Sequence, residues 1–462
     1  MEPVSLSTIA EYANGSISSG AADVVINRIS TDSRTLHGGD LFVPIRGKNF
    51  DGHRFIAQAA ERGASGALVE REWSGKVPAK FAVIRVADTL VGYQQIAAGY
   101  RRSLPLNVIA ITGSNGKTST KDFVAAALGR RFRVTKTEGN FNNHVGLPRT
   151  ILEADASHEI AVWELGMNHP GEIAALAAIA RPDTGIITNI GIAHIEFMGS
   201  QEGIAEEKGA LAAAIGETGT VILNADDRFS ERIARQTRAK IVLAGISSGT
   251  LRATEIRQSA GGAEFTILEG AHRCRVQLPV AGLHMVQNAM LAVAAGRAVG
   301  LSLEECAAGL ASAPLTKARL QLRDINGVQF LDDSYNANPD SMKAALRTLV
   351  ELETEGRRIA VLGAMGELGG ESEREHREVG EAAAAFRIDQ LITVGDVGAG
   401  ISSAAIAAGL ESVANVATTS EAAELLTTAA STGDLVLVKG SRSARMERVM
   451  EEFSSRESAM RG

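Results

Sequence analysis

Aromatic side chains are scarce in this sequence: 13 Phe, 4 Tyr and 2 Trp among 462 residues. The formal net charge is -7. The chain therefore offers neither a stacking platform nor a broad basic field, and no nucleic-acid partner is expected. Cysteine is scarcer still. Cys274 and Cys306 are too few for a disulfide framework and are not spaced as metal ligands, which fits a reducing compartment. No uninterrupted apolar run is long enough to span a bilayer. The opening MEPVSLSTIAEYANG has no basic segment followed by an apolar one, so no signal peptide is expected. The expectation is a soluble cytoplasmic protein, monomeric and free of the membrane.

Hydrophobic residues (45%) and charged residues (22%) are present in the proportions of ordinary soluble domains. Single cores stop growing near roughly 250 to 300 residues, so two or three domains are expected. In the first hundred residues INRIS, LHGGD and LFVPI precede a helical stretch at 53–62, the pattern of a small α/β domain. The pattern resets at Ser103, Leu104 and Pro105. From Asn107, strand-length apolar runs (VIAIT, EIAVWE, TGIITNI, GTVILNA, KIVLAGI) alternate with helical stretches, which predicts a parallel sheet covered by helices. A second reset falls at Ser312, Ala313 and Pro314. Beyond it VQFLDD, RIAVLGAMG, QLITVGD and DLVLVKG resume the rhythm as a doubly wound unit. The predicted domains are 1–104, 105–313 and 314–462.

ITGSNGKTSTK carries the strongest chemical signal. A strand ends at Thr112 and a helix begins near Lys117, with Gly113 and Gly116 letting backbone N–H groups approach phosphate oxygens. Lys117 can reach β- and γ-phosphates, and Thr118 can hold Mg2+. The loop departs from strict P-loop spacing, because Ile111 stands where the first glycine belongs. A helix-capping turn with a surface lysine is the bland alternative.

Ligands of open α/β sheets lie beyond the carboxyl ends of the strands. Glu164 follows IAVW and His194 follows TGIITNI, so with Thr118 they are candidates for a Mg2+ or Mn2+ site beside the loop. Taken singly, a Glu or His there is more often a satisfied polar group. In SQEGIAEEKGALAAAI, Ile204, Leu211 and Ile215 define an inward helical stripe, and Lys208 falls on it. That lysine either pairs with Glu164 or a bound phosphate, or lays its stem along the stripe with its head in water. In VQFLDDSYNANPDSM, Asp333 and Asn336 are candidates for ribose, base or phosphate contacts, or else turn residues. GDVGAG is not G-x-G-x-x-G, and no dinucleotide site is assigned to it.

These pieces resemble the Mur ligases over nearly the whole chain. The motifs are TDSR, LFVPIRGKNFDGH, TGSNGKTSTK, EGNFNNHVGLP, WELGMNHPGEI, TNIGIAHIEFMGS, GLHMVQNAMLAVAAG, LDDSYNANPDSM, GAMGELGGES and LVKGSRSARME. ELGMNHPGEI and DDSYNANPDSM resemble the D-alanyl-D-alanine-adding branch, and the D-N-P-R pattern of the third-residue-adding branch is not found. The resemblance implies an α/β fold of three domains: a small N-terminal domain for the UDP end of the substrate, a central P-loop-type parallel-sheet ATPase and a C-terminal Rossmann-like domain. It implies ATP and two Mg2+ ions, with Mn2+ as a substitute. The substrates would be UDP-N-acetylmuramoyl-tripeptide and D-alanyl-D-alanine, joined during synthesis of the bacterial cell wall.

Carried onto this sequence, the resemblance makes Gly113, Ser114, Asn115, Gly116, Lys117, Thr118 and Ser119 the phosphate-binding loop. Asn288 meets the adenine region, and Arg319, Asp333 and Asn336 reach across from the C-terminal domain. Thr118 holds one metal and Glu164 and His194 the second. Lys208 carries a CO2-derived carbamate, which turns a cation into an anionic metal ligand. Lys117, His194 and Lys208 are the catalytic candidates, while Ser33, Asn140 and Asn143 line the path of the UDP substrate.

A carboxylate does not react usefully with an amine until phosphorylation gives it a leaving group. Transfer of the γ-phosphoryl group needs positioning and charge neutralisation, which this loop, metals and Arg319 would provide. Rival readings are a folylpolyglutamate synthase, the third-residue-adding Mur enzyme, or a P-loop phosphotransferase or switch protein. TDSR and the missing D-N-P-R pattern oppose the first two. The last leaves Lys208 and a whole third domain without a task.

Overall fold

The unbroken apolar run of NVIAIT becomes a strand covered on both faces, with Val108, Ile109, Ala110 and Ile111 all 0% exposed in this computed structural model. Residues 1–47, 49–314 and 316–461 are described. Three large sheets follow one another along them, each flanked by helices.

In the first sheet Arg28–Ser30, Asp40–Phe42, Gly66–Glu70 and Ala82–Val86 run parallel, and Ser16–Ser19 adds antiparallel at one edge. The second sheet has nine strands. Val134–Lys136, Ile160–Glu164, Asn107–Thr112, Thr184–Ile187, Thr220–Asn224 and Lys240–Gly245 lie side by side in parallel. The third sheet is parallel through Val328–Asp333, Leu435–Lys439, Arg358–Leu362, Gln390–Val394 and Val413–Val416, with Gln321–Ile325 antiparallel at its edge.

Several strands were not foreseen, among them Gly66–Glu70, Ala82–Val86, Val134–Lys136, Gln321–Ile325, Val413–Val416 and three consecutive ones within 251–278. Leu251–Ser259 extends the second sheet, and Gly262–Glu269 and His272–Leu278 follow it as antiparallel hairpins. They face water on one side, so their residues alternate, with Leu251 and Ala253 buried and Arg252 exposed between them. A bulge between Thr254 and Arg257 then shifts that alternation.

Hydrophobic packing crosses from each sheet region to the next. One cluster joins Tyr93, Ile96 and Tyr100 of the helix Thr89–Ser103 to Leu147, Ile151 and Trp163. Arg101 pins this junction, donating to the carbonyls of Ala180 (3.0 Å), Leu104 (3.2 Å) and Leu106 (3.1 Å). A second cluster runs from Ile109 and Phe123 to Leu331, Met342 and Leu437. The connection into the third region is tied by Asp122, which accepts from the Thr316 hydroxyl and from Lys136 Nζ at 2.8 Å.

Candidate active site

The strand Asn107–Thr112 delivers the chain to a turn that only small residues can make. Gly113 and Gly116 hold φ of 148° and 80°. A Cβ on Gly116 would sit 2.4 Å from Asn288 Oδ1, so the bare backbone is what lets Asn288 close over the loop. The helix Lys117–Leu128 starts directly behind, with its N-terminal N–H groups aimed into a cavity of about 390 Å3.

Residues 114–119 line this cavity together with His194, His284, Asn288, Arg319, Asp333 and Asn336. The structure thus brings the loop, Asn288 and His194 of the second region together with Arg319, Asp333 and Asn336 of the third. Lys117 Nζ is folded back onto the Gly113 carbonyl at 2.7 Å. Burial pulls its pKa down, opposed by Glu164. Arg319 lays its guanidinium over the Tyr335 ring at 4.3 Å, and among the described residues its buried Nε has no hydrogen-bond partner.

Glu164 ends the strand Ile160–Glu164 beside the loop. Its Oε2 accepts from Thr118 Oγ1 and from Asn142 Nδ2, each at 3.4 Å. Oε1 is buried and receives no hydrogen bond among the described residues; the Lys121 ammonium lies 3.5 Å from it. A pairing of Glu164 with Lys208, one of the alternatives for that lysine, is not formed; Glu164 pairs with Lys121 of the helix Lys117–Leu128.

His194 holds a left-handed φ of 65°. Its Nδ1 approaches Glu367 Oε2 of the third region at 2.6 Å, off the direction of a good hydrogen bond. Glu367 is also left-handed, with φ 60°. The imidazole holds its carboxyl below the usual range despite partial burial.

Lys208 is 1% exposed, as are its stripe neighbours Ile204 and Leu211 at 0%. The reading in which its head reaches water is overturned. Among the described residues it has no hydrogen bond or ion pair. Burial, with the nearby Lys117 adding to it, pushes its amine well below the ordinary lysine range.

Asp333 is held by Lys439, 2.5 Å away, and Asn336 by its own turn, its Oδ1 accepting from the N–H of Ala337 at 2.9 Å. The remaining candidates lie outside this cavity. Ser33 is buried and donates to Gln58 at 3.0 Å. Asn140 lines a separate hollow with Lys317 and Arg442. Asn143 Oδ1 accepts from the N–H of Gly146 at 2.8 Å and so serves the start of the helix Gly146–Glu153.

Among the residues at this site that escaped the sequence reading are Lys121, Asn189, Glu367 and Lys439. Asn189 grips both backbone polar groups of Asn115, accepting at 3.0 Å and donating at 3.0 Å. It and Lys439 are polar residues at or just beyond the ends of apolar runs, a signal that was available. Glu367 reaches the site from another sheet, and no local pattern announces it.

Residues 25–101 match the Mur ligase family catalytic domain, 111–296 the Mur ligase middle domain and 318–442 the Mur ligase glutamate ligase domain. The UDP-N-acetylmuramoyl-tripeptide--D-alanyl-D-alanine ligase of Bacillus subtilis (strain 168) is 39% identical over 96% of this chain and 97% of its own length. A crystal structure of MurF from Acinetobacter baumannii superposes with a TM-score of 0.91 at 35% identity, covering 98% of this chain and 99% of that one. The MurF ligase of Thermotoga maritima, solved with ADP, gives 0.84 at 28% identity over 93% of this chain and 97% of that one. With three Mur ligase domains in succession and likeness along almost the full length, the chain belongs to the Mur ligase family.

Proposed function

We propose that this ligase joins the amino group of D-alanyl-D-alanine to the terminal carboxylate of UDP-N-acetylmuramoyl-tripeptide, using ATP to make an acyl-phosphate. The observation that carries the reading is the single cavity in which a glycine-rich loop, Asn288 and Arg319 face one another across two sheet regions. A relative of the same fold solved with ADP supports the choice of an adenine nucleotide.

In this reading Lys117 leaves the Gly113 carbonyl for the β- and γ-phosphates, and Arg319 neutralises charge on the transferred group. The substrate carboxylate oxygen bonds to the γ-phosphorus and ADP leaves. The dipeptide amine then attacks the acyl carbon, loses a proton, and the C–O bond to phosphate breaks. Contact between the second and third regions keeps water from the acyl-phosphate.

Mg2+ fits the donors present. Among the described residues Glu164 Oε1 and His194 Nδ1 are buried polar atoms without hydrogen bonds, and Glu164 reaches the loop through Oε2, which accepts from Thr118. Thr118 would hold one ion, and Glu164 and His194 the other; the bound ions would supply charge neutralisation for the phosphates. A neutral amine is the form that adds CO2, so the lowered pKa of Lys208 supports carbamate formation there. Ser33, Asn140 and Asn143 are proposed for the UDP substrate.

The proposed domains are 1–104, 105–313 and 314–462, each containing one whole large sheet. A monomer is proposed as the working unit. Among the described residues no helix is long and apolar enough to cross a membrane. A cytoplasmic site of action is proposed from the nucleotide substrates. The deciding experiment measures phosphate release with each substrate omitted in turn. Release that requires both UDP-muramoyl-tripeptide and D-alanyl-D-alanine supports the reading, and release without the dipeptide sinks it.

A further inference from the structure

The third region touches the phosphate loop through a side chain with two tasks. Asn338 caps the helix Pro339–Glu351: its Oδ1 accepts from the N–H of Ser341 at 3.0 Å. That bond fixes which end of the carboxamide is oxygen, and leaves Nδ2 pointing the other way. Nδ2 donates to Asn115 Oδ1, in the middle of the loop, at 2.6 Å. Two residues on, Asp340 Oδ2 accepts from the N–H of Ile192 at 3.1 Å. The approach is close enough that a Cβ on Gly191 would meet Asp340 Oδ2 at 2.2 Å. One helix start thus lies across both loops, the one after Thr112 and the one after Ile187.

Asn115 has few other restraints on its side chain. Its backbone N–H and carbonyl are held by Asn189 within the second region, whereas its carboxamide is held by Asn338 from the third. The shape of the loop at residue 115 is therefore set jointly by the two regions.

We propose that Asn338 is a positioning residue for the phosphate loop, so that full grip on the nucleotide requires contact between the second and third regions. The inference rests on the ATP-dependent reading above. It explains why serine does not suffice at this cap: serine would cap the helix equally well but cannot reach Asn115.

The test separates capping from reaching. Asn338→Ser keeps a good cap and deletes the reach; Asn338→Ala deletes both. In the full-length enzyme, the KM for ATP is expected to rise roughly three- to tenfold in both variants, the range of one lost hydrogen bond. The KM for the UDP substrate stays at the parental value, and only Asn338→Ala melts at lower temperature. Asn115→Ala should match the effect on ATP, and the double variant Asn115→Ala with Asn338→Ser should be no worse than either single change. A parental KM for ATP in Asn338→Ser, or additive effects in the double variant, overturns the proposal. Parental enzyme that releases no phosphate from ATP would instead strike at the functional reading.

Discussion

Lys439 Nζ lies 2.5 Å from Asp333 Oδ2, and the two residues are register partners at the carboxyl ends of neighbouring parallel strands. Lys439 is 2% exposed and also donates to the Asn336 carbonyl at 2.9 Å. Burial lowers its pKa, while Asp333 favours the ammonium form. Removing one partner of such a pair strands the other's charge, at about 3–5 kcal/mol. Lys439→Met is therefore expected to lower stability steeply, and adding Asp333→Asn to restore part of it. Denaturant unfolding of the parent and the two variants checks this; a double variant as unstable as Lys439→Met would mean that the Lys439→Met loss does not come from stranding the Asp333 charge.

Lys117→Ala should stop ATP turnover while leaving the fold in place. The side chain reaches only loop carbonyls, so little packing is lost, but the phosphates lose their cation. A fall in kcat of at least roughly a hundredfold is expected, with an unchanged circular dichroism spectrum. Near-parental ligation would remove the loop lysine from the mechanism.

If Lys208 works as a carbamate, Lys208→Ala should be nearly inactive, and short carboxylic acids in the medium should partly restore ligation by occupying the anionic position. Arginine at this position keeps a positive charge and cannot carry CO2, so Lys208→Arg should stay inactive with or without them. Parental rates in either variant would end the carbamate reading.

Lys208 also leaves a mark on stability in CO2-free buffer. Its folded pKa is depressed well below 10.5, so the unfolded chain binds one more proton than the folded chain between the two values. Stability then rises with pH across that window, by about 1.4 kcal/mol per pH unit for one proton, and is lost as pH falls. Lys208→Met has no such dependence. It should be more stable than the parent at pH 7, by a margin that widens toward lower pH until the folded amine itself protonates. Parallel melting curves from pH 6 to 9 read this directly, and an equal slope in both proteins would place the amine in water.

Strands buried on both faces were legible because they read as unbroken apolar runs, and the phosphate loop because strand, glycines and helix are contiguous. Lys208 was legible as an inward residue from spacing alone, since Ile204 and Leu211 fix the face. What the amine meets there was not legible, because its neighbours come from other elements. Glu164 shows the same divide: its place at a strand end follows from IAVWE, but its pairing with Lys121, three residues beyond Thr118, depends on how the helix Lys117–Leu128 packs over the sheet. The hairpins at 251–278 were passed over because one-sided burial produces alternation, and a bulge interrupts it. Glu367 meets His194 only through the docking of one sheet region on another.

The helix Thr89–Ser103 buries Tyr93, Ile96 and Tyr100 against residues made later, among them Leu147, Ile151, Leu176 and Ala180. The helix also packs on Leu6–Tyr12, made before it, but on the ribosome the part of its surface that meets the later helices has no cover until the chain has grown past residue 180. At roughly 5–20 residues per second the wait is on the order of ten seconds. During that interval the nascent chain shows an oily stripe to the cell, and it is there, well before any substrate is met, that a chaperone would find its hold.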